Sequence, residues 1–274
     1  MIWWKISVQL WKEQSKEKDR SERSRDEAII IRQEEIADGI FSMWLKTDEI
    51  AKNAKAGQFI SVYCKDGSRM LPRPISICEI DKKDGALRIV YRVAGKGTEE
   101  FSKMRAGMIL DILGPLGNGF PKKSKKAILI GGGIGIPPML ELSKELDCEK
   151  QIVLGYRDEL FLTEEFEKTG EVYLATEDGS MGTKGTVLDA IRVNELKADI
   201  IYACGPTPML EAVKEYAKEA GIECWISMEE RMACGIGACL ACVCKSKQKD
   251  THTNVHNKRI CKEGPVFLAE EVEL

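Results

Sequence analysis

Short apolar runs broken by polar positions fill residues 28–122: AIIIRQEEIADGIFSMWLKT, GQFISVYC, RPISICEI and LRIVYRV. Glycine turns separate them, among them Asp66-Gly67 and Asp84-Gly85. Several β-rich runs with turns at this spacing predict an antiparallel barrel or sandwich. The stretch GPLGNGFP at 114–121 reads as the loop that closes this unit. From Lys125 the pattern changes. AILI is a short buried-type strand that runs into a glycine loop and then a helical pattern over 137–146. QIVLGY, EVYLAT, ADIIYACG and ECWIS follow as strands, with TEEFEK, TVLDAIRV and PMLEAVKEYAKEA as helices between them. Strands that alternate with helices predict a doubly wound parallel sheet.

The two ends of the chain fit neither pattern. Residues 12–27 are almost entirely charged or polar, and a segment without an apolar face cannot offset its ordering entropy. The leader 1–27 is therefore expected to be flexible or an exposed helix, with residues 1–11 open to reading as a docking strand or a start-site artefact. Residues 226–274 are cysteine-rich and irregular. The expected fold class is thus α/β plus β: a barrel over 28–122, a parallel-sheet domain over 123–225 and a small C-terminal segment over 226–274.

Composition narrows the class of function. The 274 residues are 43% hydrophobic and 31% charged, enough to build real cores, and the net charge of -3 makes no case for a nucleic-acid partner. No apolar run reaches the ~18–20 residues of a membrane span, and the apolar start lacks a small-residue cleavage site, so a cytoplasmic location is expected. Ten cysteines in such a chain point to metal or redox chemistry rather than disulfides, and five of them fall between Cys234 and Cys261.

Four of those five carry the most specific pattern. Cys234-x4-Cys239-x2-Cys242, with Cys261 further on, has the spacing of a plant-type [2Fe–2S] site. Gly235 and Gly237 give the MACGIGACLAC loop access to positive φ and expose backbone N–H groups to the sulfurs. A zinc site on Cys239, Cys242, His252 and His256 is the competitor; its spacer is short and it leaves Cys234 and Cys261 idle. A regulatory module holding zinc and a nucleotide would follow from it, and would be colourless. Cys244, Cys64, Cys78, Cys148 and Cys224 read as packing residues.

Two further motifs point to nucleotides. Gly131, Gly132, Gly133 and Gly135 lie between a strand and a helix, where glycines let a backbone approach a pyrophosphate. Ile136 stands where the usual fingerprint has its third glycine, so a tight structural turn remains the alternative. Cys204-Gly205-Pro206 ends another strand, and Thr176 to Ser180 ends a third, all at the edge where open α/β sheets bind ligands. In the β unit, Arg73-Pro74-Ile75-Ser76 offers a cation and a hydroxyl, and Gly95-Lys96-Gly97-Thr98 reads as a second glycine loop ahead of a helix. The residue types do not choose between these roles and a surface charge or a plain helix cap.

In this order the motifs resemble the ferredoxin–NADP reductase superfamily. RMACGIGACLACVCK with RICKEGPVF narrows the likeness to the electron-transfer subunit of the dihydroorotate dehydrogenases that use NAD. The resemblance runs from about residue 28 to the end. It implies FAD held by Arg73, Pro74, Ile75, Ser76, Val90, Tyr91 and Arg92, with Gly97 and Thr98 at its pyrophosphate. It implies a [2Fe–2S] cluster on Cys234, Cys239, Cys242 and Cys261, and an NAD(H) site framed by the glycine loop and Cys204-Gly205-Pro206. It further implies an FMN-containing catalytic partner in a heterotetramer with two copies of each subunit, serving pyrimidine (UMP) synthesis, and no acid–base residue of this chain's own. Superfamily relatives often end in an aromatic that covers the flavin; here the end reads EEVEL. The small subunit of an NADH-dependent ferredoxin:NADP+ oxidoreductase, also called sulfide dehydrogenase, shares the layout, as do oxygenase reductases. NAD rather than NADP rests on the resemblance, because Arg157-Asp158 at the end of QIVLGY point opposite ways.

Overall fold

The structure, a computed structural model, describes residues 24–157, 159–249 and 254–274. Residues 1–23, Asp158 and His252 lie outside that set, and so do the expectations that fall on them. None of the described helices is long and apolar enough to cross a membrane.

Six antiparallel strands close into a barrel: β1 (Ser24–Ala37), β2 (Ile40–Lys46), β3 (Phe59–Val62), β4 (Arg73–Asp81), β5 (Ala86–Arg92) and β6 (Ile109–Leu116), in the order β1-β2-β5-β4-β3-β6. Helices α1 (Asp48–Asn53) and α2 (Lys96–Ser102) interrupt the series. Met43, Leu45, Ile60, Ile77, Ile89, Leu110 and Ile112 fill the interior, as alternation along half-buried strands requires. Strand β5 is buried along all but its last residue because its outer face packs on the next domain.

That domain is a seven-stranded sheet. Its strands are β7 (Ala127–Gly132), β8 (Lys150–Tyr156), β9 (Glu171–Thr176), β10 (Thr183–Lys184), β11 (Ile200–Cys204) and β12 (Glu223–Ser227), joined at the edge by β15 (Val266–Leu268). The order is β10-β9-β8-β7-β11-β12-β15. Strands β7 and β11 are near-continuous apolar runs, as befits the middle of a sheet covered on both faces. Helices α3 (Pro137–Glu145), α4 (Thr163–Glu167), α5 (Val187–Val193) and α6 (Thr207–Ala220) supply the cover. The chain leaves β7 toward β8 on one side and later toward β11 on the other. The crevice between the carboxyl ends of β7 and β11 is therefore the switch point where such sheets take ligands.

Three local expectations need correction. Ser24 to Glu27 belong to β1, not to a leader: they pair with Asp111 to Gly114, and backbone pairing does not depend on the charge of the side chains. Residues 114–116 are the end of β6 rather than loop. The C-terminal segment is not wholly irregular: β13 (Val243–Lys245) and β14 (Asn257–Arg259) form a hairpin, and β15 runs antiparallel to β12 in the neighbouring sheet. Asn118 fastens that segment to the barrel. Its side chain donates to the carbonyls of Glu263 and Val266 and accepts from the Val266 N–H at 3.0 Å.

Candidate functional site

Barrel, sheet and C-terminal segment meet around one cleft of about 960 Å³. The barrel side is made by Arg73 to Ser76 of β4, by Val90, Tyr91 and Arg92 of β5, and by Thr98. The sheet side is made by Gly132 at the end of β7 with Gly135 beyond it, and by Cys204 at the end of β11 with Gly205 and Pro206 beyond it. Of the remaining expected residues, Gly97, Gly131 and Gly133 are not part of this lining. Ser227 to Met232, the stretch from β12 to the cysteine loop, lines the cleft as well. Sequence reasoning passed over it, although it too begins at the carboxyl end of a strand.

The barrel wall is shaped by close packing. Arg73 lies across Gly97 so tightly that a Cβ there would fall 2.1 Å from Nε, so glycine lets the guanidinium cross the first turn of α2. Gly97 and Thr98 are thus helical rather than part of a loop. The Thr98 hydroxyl accepts from the Ala94 N–H at 2.9 Å and donates to the Gly95 carbonyl, which fixes the start of α2. Tyr91 is buried: its hydroxyl donates to Gln33 Oε1 at 2.9 Å, its ring stacks on Phe41, and burial pushes its ionisation up.

The glycine loop answers to its neighbours. A Cβ on Gly131 would meet Ile136, one on Gly132 would meet Met209 Sδ, and one on Gly135 would fall 2.5 Å from the Cys204 carbonyl. Gly133, at φ +53°, faces open space. The two strand-end loops can therefore lie against each other and hold the cleft wall together. Burial pushes the Cys204 thiol up to about 12, against a lowering hydrogen bond with Ser227, so this group is neutral at the cleft.

The cysteine loop lies against the barrel: a Cβ on Gly235 would approach Ser61 Oγ, a buried hydroxyl with no protein partner. The β13–β14 hairpin sets Cys242 and Cys261 side by side, with the Ile260 N–H donating to the Cys242 carbonyl at 2.9 Å. Gly235 and Gly237 adopt φ +68° and +83°. Backbone N–H groups then point at sulfur: Gly237 to Cys261 at 3.1 Å, Ala238 and Cys239 to Cys234 at 3.3 and 3.4 Å, and Cys261 to Cys242 at 3.4 Å. Burial alone would raise the Cys234 thiol; N–H donation from Ile236, Cys239 and Ala238 outweighs it and brings it down to about 6. Burial, with Cys242 alongside, pushes Cys261 up to about 12. Arg259 donates to the Gly237 carbonyl and pairs with Glu263, pinning the loop to the hairpin. Cys242 and Cys261 are buried while Cys239 is exposed.

Among the described residues no three His, Cys, Asp or Glu side chains gather about a single-ion position. A two-iron cluster does not need one, since its four thiolates are divided between two metals. Sulfurs met by backbone N–H groups are the donor set such a cluster takes. His256 Nδ1 lies 3.2 Å from the Ser246 carbonyl and 3.0 Å from that of Lys247, turned to backbone.

Residues 229–273 match the family model described as the iron–sulfur cluster binding domain of dihydroorotate dehydrogenase B. Over 254 residues the chain is 43% identical to the dihydroorotate dehydrogenase B (NAD(+)) electron transfer subunit of Fusobacterium nucleatum, covering 88% of this chain and 95% of that one. The Bacillus pumilus protein of the same name is 43% identical over 258 residues, covering 89% and 96%. Among solved structures, a chain of an NADH-dependent reduced ferredoxin-NADP oxidoreductase superposes with a TM-score of 0.81 at 30% identity, covering 91% of each chain. A ferredoxin reductase of carbazole 1,9a-dioxygenase shares the fold, at a TM-score of 0.62 and 22% identity over 73% of this chain and 67% of that one.

Proposed function

The chain belongs to the family of dihydroorotate dehydrogenase B (NAD(+)) electron transfer subunits, and on that footing we propose that it links a dihydroorotate-oxidising partner to NAD+ in the pyrimidine route to UMP. It is an oxidoreductase subunit whose cofactors are FAD, a [2Fe–2S] cluster and NAD(H). One observation supports the assignment of sites most: the arginine strand of the barrel, the two strand-end loops and the approach to the cysteine loop all border a single cleft.

In this reading a flavin, when bound, exchanges electrons singly with a cluster and in pairs with a nicotinamide. Every other task falls to the chain. Arg73 offers its guanidinium beside the first turn of α2, where the N–H groups of Gly97 and Thr98 receive the FAD pyrophosphate. Pro74 to Ser76 and Val90 to Arg92 form the wall along the flavin. The Gly131–Gly135 loop and Cys204-Gly205-Pro206 frame the nicotinamide nucleotide, and the Cys204 thiol there is uncharged and gives up no proton near neutrality. Cys234, Cys239, Cys242 and Cys261 hold the cluster, steadied by N–H groups already aimed at three of the four sulfurs. Ser227 to Met232 borders the same cleft.

The partner we assign carries FMN and oxidises dihydroorotate to orotate, with two copies of each subunit in the assembly. Reducing equivalents taken up there leave as NADH. None of the ten cysteines is in a disulfide, and the setting we assign is cytoplasmic. The test is dihydroorotate-dependent NADH formation by this chain mixed with its FMN-containing partner, and by each alone. NADH produced only by the mixture is the expected result. A mixture that fails, beside a coloured chain that still oxidises NAD(P)H with artificial acceptors, would move the assignment to a ferredoxin-linked oxidoreductase.

A further inference from the structure

Strand β4 and helix α3 each have one end at the cleft: β4 starts with Arg73-Pro74-Ile75-Ser76, and α3 starts directly after the glycine loop. Their far ends meet across the seam between barrel and sheet. Strand β3 accompanies β4 only as far as Ser76, so beyond that point β4 lacks a strand on one side. The Ile77 N–H is taken by the Gln58 carbonyl. The Ile80 N–H is taken by Glu141, a buried carboxylate of α3, at 2.9 Å from Oε2. Glu141 thus occupies the place of a missing strand.

Charged groups surround this bond. Glu79 pairs with Lys144 of α3 and with Arg88 of β5. Arg88, 5% exposed, also reaches Glu165 of α4 at 3.2 Å and donates from Nε to Ser42 Oγ of β2 at 2.9 Å. On its own helix Glu141 is flanked by Glu145, which Lys122 approaches at 3.6 Å. Three polar links therefore cross the seam: Ile80 to Glu141, Glu79 to Lys144 and Arg88 to Glu165. Buried charges are tolerated only when paired and hydrogen-bonded, so this cluster admits one relative placement of strand and helix.

We propose that Glu141, backed by Glu79, Lys144 and Arg88, is a positioning residue that sets the distance between the flavin strand and the nucleotide loop from the far side of the seam. This rests on the assignment of FAD and NAD(H) to the two sides of the cleft. From Ser76 to Ile80 the strand runs only about 13 Å, so a shift at the seam is carried into the cleft. Misplacement of about 1 Å by a change remote from the chemistry can cost about a hundredfold in rate. Burial, with Glu145 and Glu79 adding to it, raises Glu141 to about 7 in spite of the Ile80 bond and of Lys144. A carboxyl raised on folding favours the folded seam fully below its ordinary value and loses that contribution as pH climbs through about 7.

The experiment uses the full chain carrying FAD and its cluster, as wild type, Glu141→Ala and Glu141→Gln. It reads NADH-driven ferricyanide reduction, FAD content, and hydrogen exchange at the Ile80 amide without nucleotide. In Glu141→Ala, Ile80 exchange should rise at least ~10-fold and kcat fall ~10-fold, with KM for NADH and FAD content within about twofold. Glu141→Gln, which keeps an acceptor, should restore both and show a flatter pH dependence of kcat around pH 7 than the wild type. Unchanged kcat in Glu141→Ala, a loss that only tracks lost FAD, or no rescue by glutamine would each overturn the proposal. Should the alanine variant fail to fold, Lys144→Met at the half-exposed end of the cluster must show the same kcat-only loss, about threefold, or the proposal falls. A wild-type chain unable to oxidise NADH would remove the cofactor assignment and the proposal together; an active wild type beside an unaffected alanine variant removes the proposal alone.

Discussion

In the turn at the end of β7, Gly131, Gly132 and Gly135 stand where a methyl group would strike Ile136, Met209 and the Cys204 carbonyl, whereas in the cysteine loop Gly235 and Gly237 stand at φ +68° and +83°. The first needs glycine because Ile136 of its own turn, Met209 of α6 and the backbone of the second strand-end loop lie against it. The second needs glycine because its backbone must turn N–H groups toward sulfur, and left-handed φ is the route. Glycine in the two loops thus answers two physical demands, one set by packing neighbours and one by local chain geometry. The lesson reaches function: a glycine-rich strand-to-helix turn is explained here largely by packing, so its role toward a nucleotide rests on its position at the switch point.

Four substitutions can break or sharpen this contrast. The largest effect belongs to Cys239→Ser. It should abolish or strongly alter the EPR signal of the reduced cluster while far-ultraviolet circular dichroism holds, and an unchanged signal would remove Cys239 from the ligand set. Next, Gly135→Ala should destabilise the fold by about 3 kcal/mol in urea unfolding, because the new methyl meets backbone, which cannot swing aside. Smaller effects are expected at the two left-handed positions. Gly237→Ala should cost about 1–2 kcal/mol and shift the cluster's spectrum, since Lys262 can move but φ +83° stays strained. Gly133→Ala, in open space at φ +53°, should cost about 1 kcal/mol. A larger loss at Gly133 than at Gly135 would invert the contrast.

The smallest effect comes from the opposite edge of the same sheet and serves as a reference. Burial alone would raise Glu223, at the start of β12, but bonds from Lys123, Trp225 and Lys125 bring it down to about 2. A depressed carboxyl contributes stability above its ordinary value near 4.5 and loses it as pH falls toward about 2. Both lysines are over a third exposed, so Glu223→Gln should cost about 1 kcal/mol at neutral pH and flatten the acid limb of a pH titration of stability. The same variant should leave the cluster spectrum and NADH oxidation as they are.

Much of the architecture was legible along the chain. Alternation in the β runs announced the barrel, and strand–helix alternation from Lys125 announced the parallel sheet, because both record which residues face a core. Spacing also set apart the C-terminal cysteine segment, which lies within the residues matched by the iron–sulfur cluster binding domain. What escaped has a common cause in pairing over long distances. Ser24 to Glu27 are strand only because Asp111 to Gly114 lie beside them, and β15 is a strand only because β12 offers an edge. The lining by Ser227 to Met232, the Asn118 fastening and the Glu141 seam involve partners far apart in sequence, and no local periodicity marks such pairs.

By itself, then, the order of residues determined most of the elements, the cysteine spacing and the turns that need positive φ, because each depends on atoms a few bonds apart. Which elements share a cleft, which glycines are compelled by a neighbour and how strand and helix are held across the seam were decided only in the tertiary structure. Those outcomes depend on burial and hydrogen bonds between segments that meet only once the cores have packed.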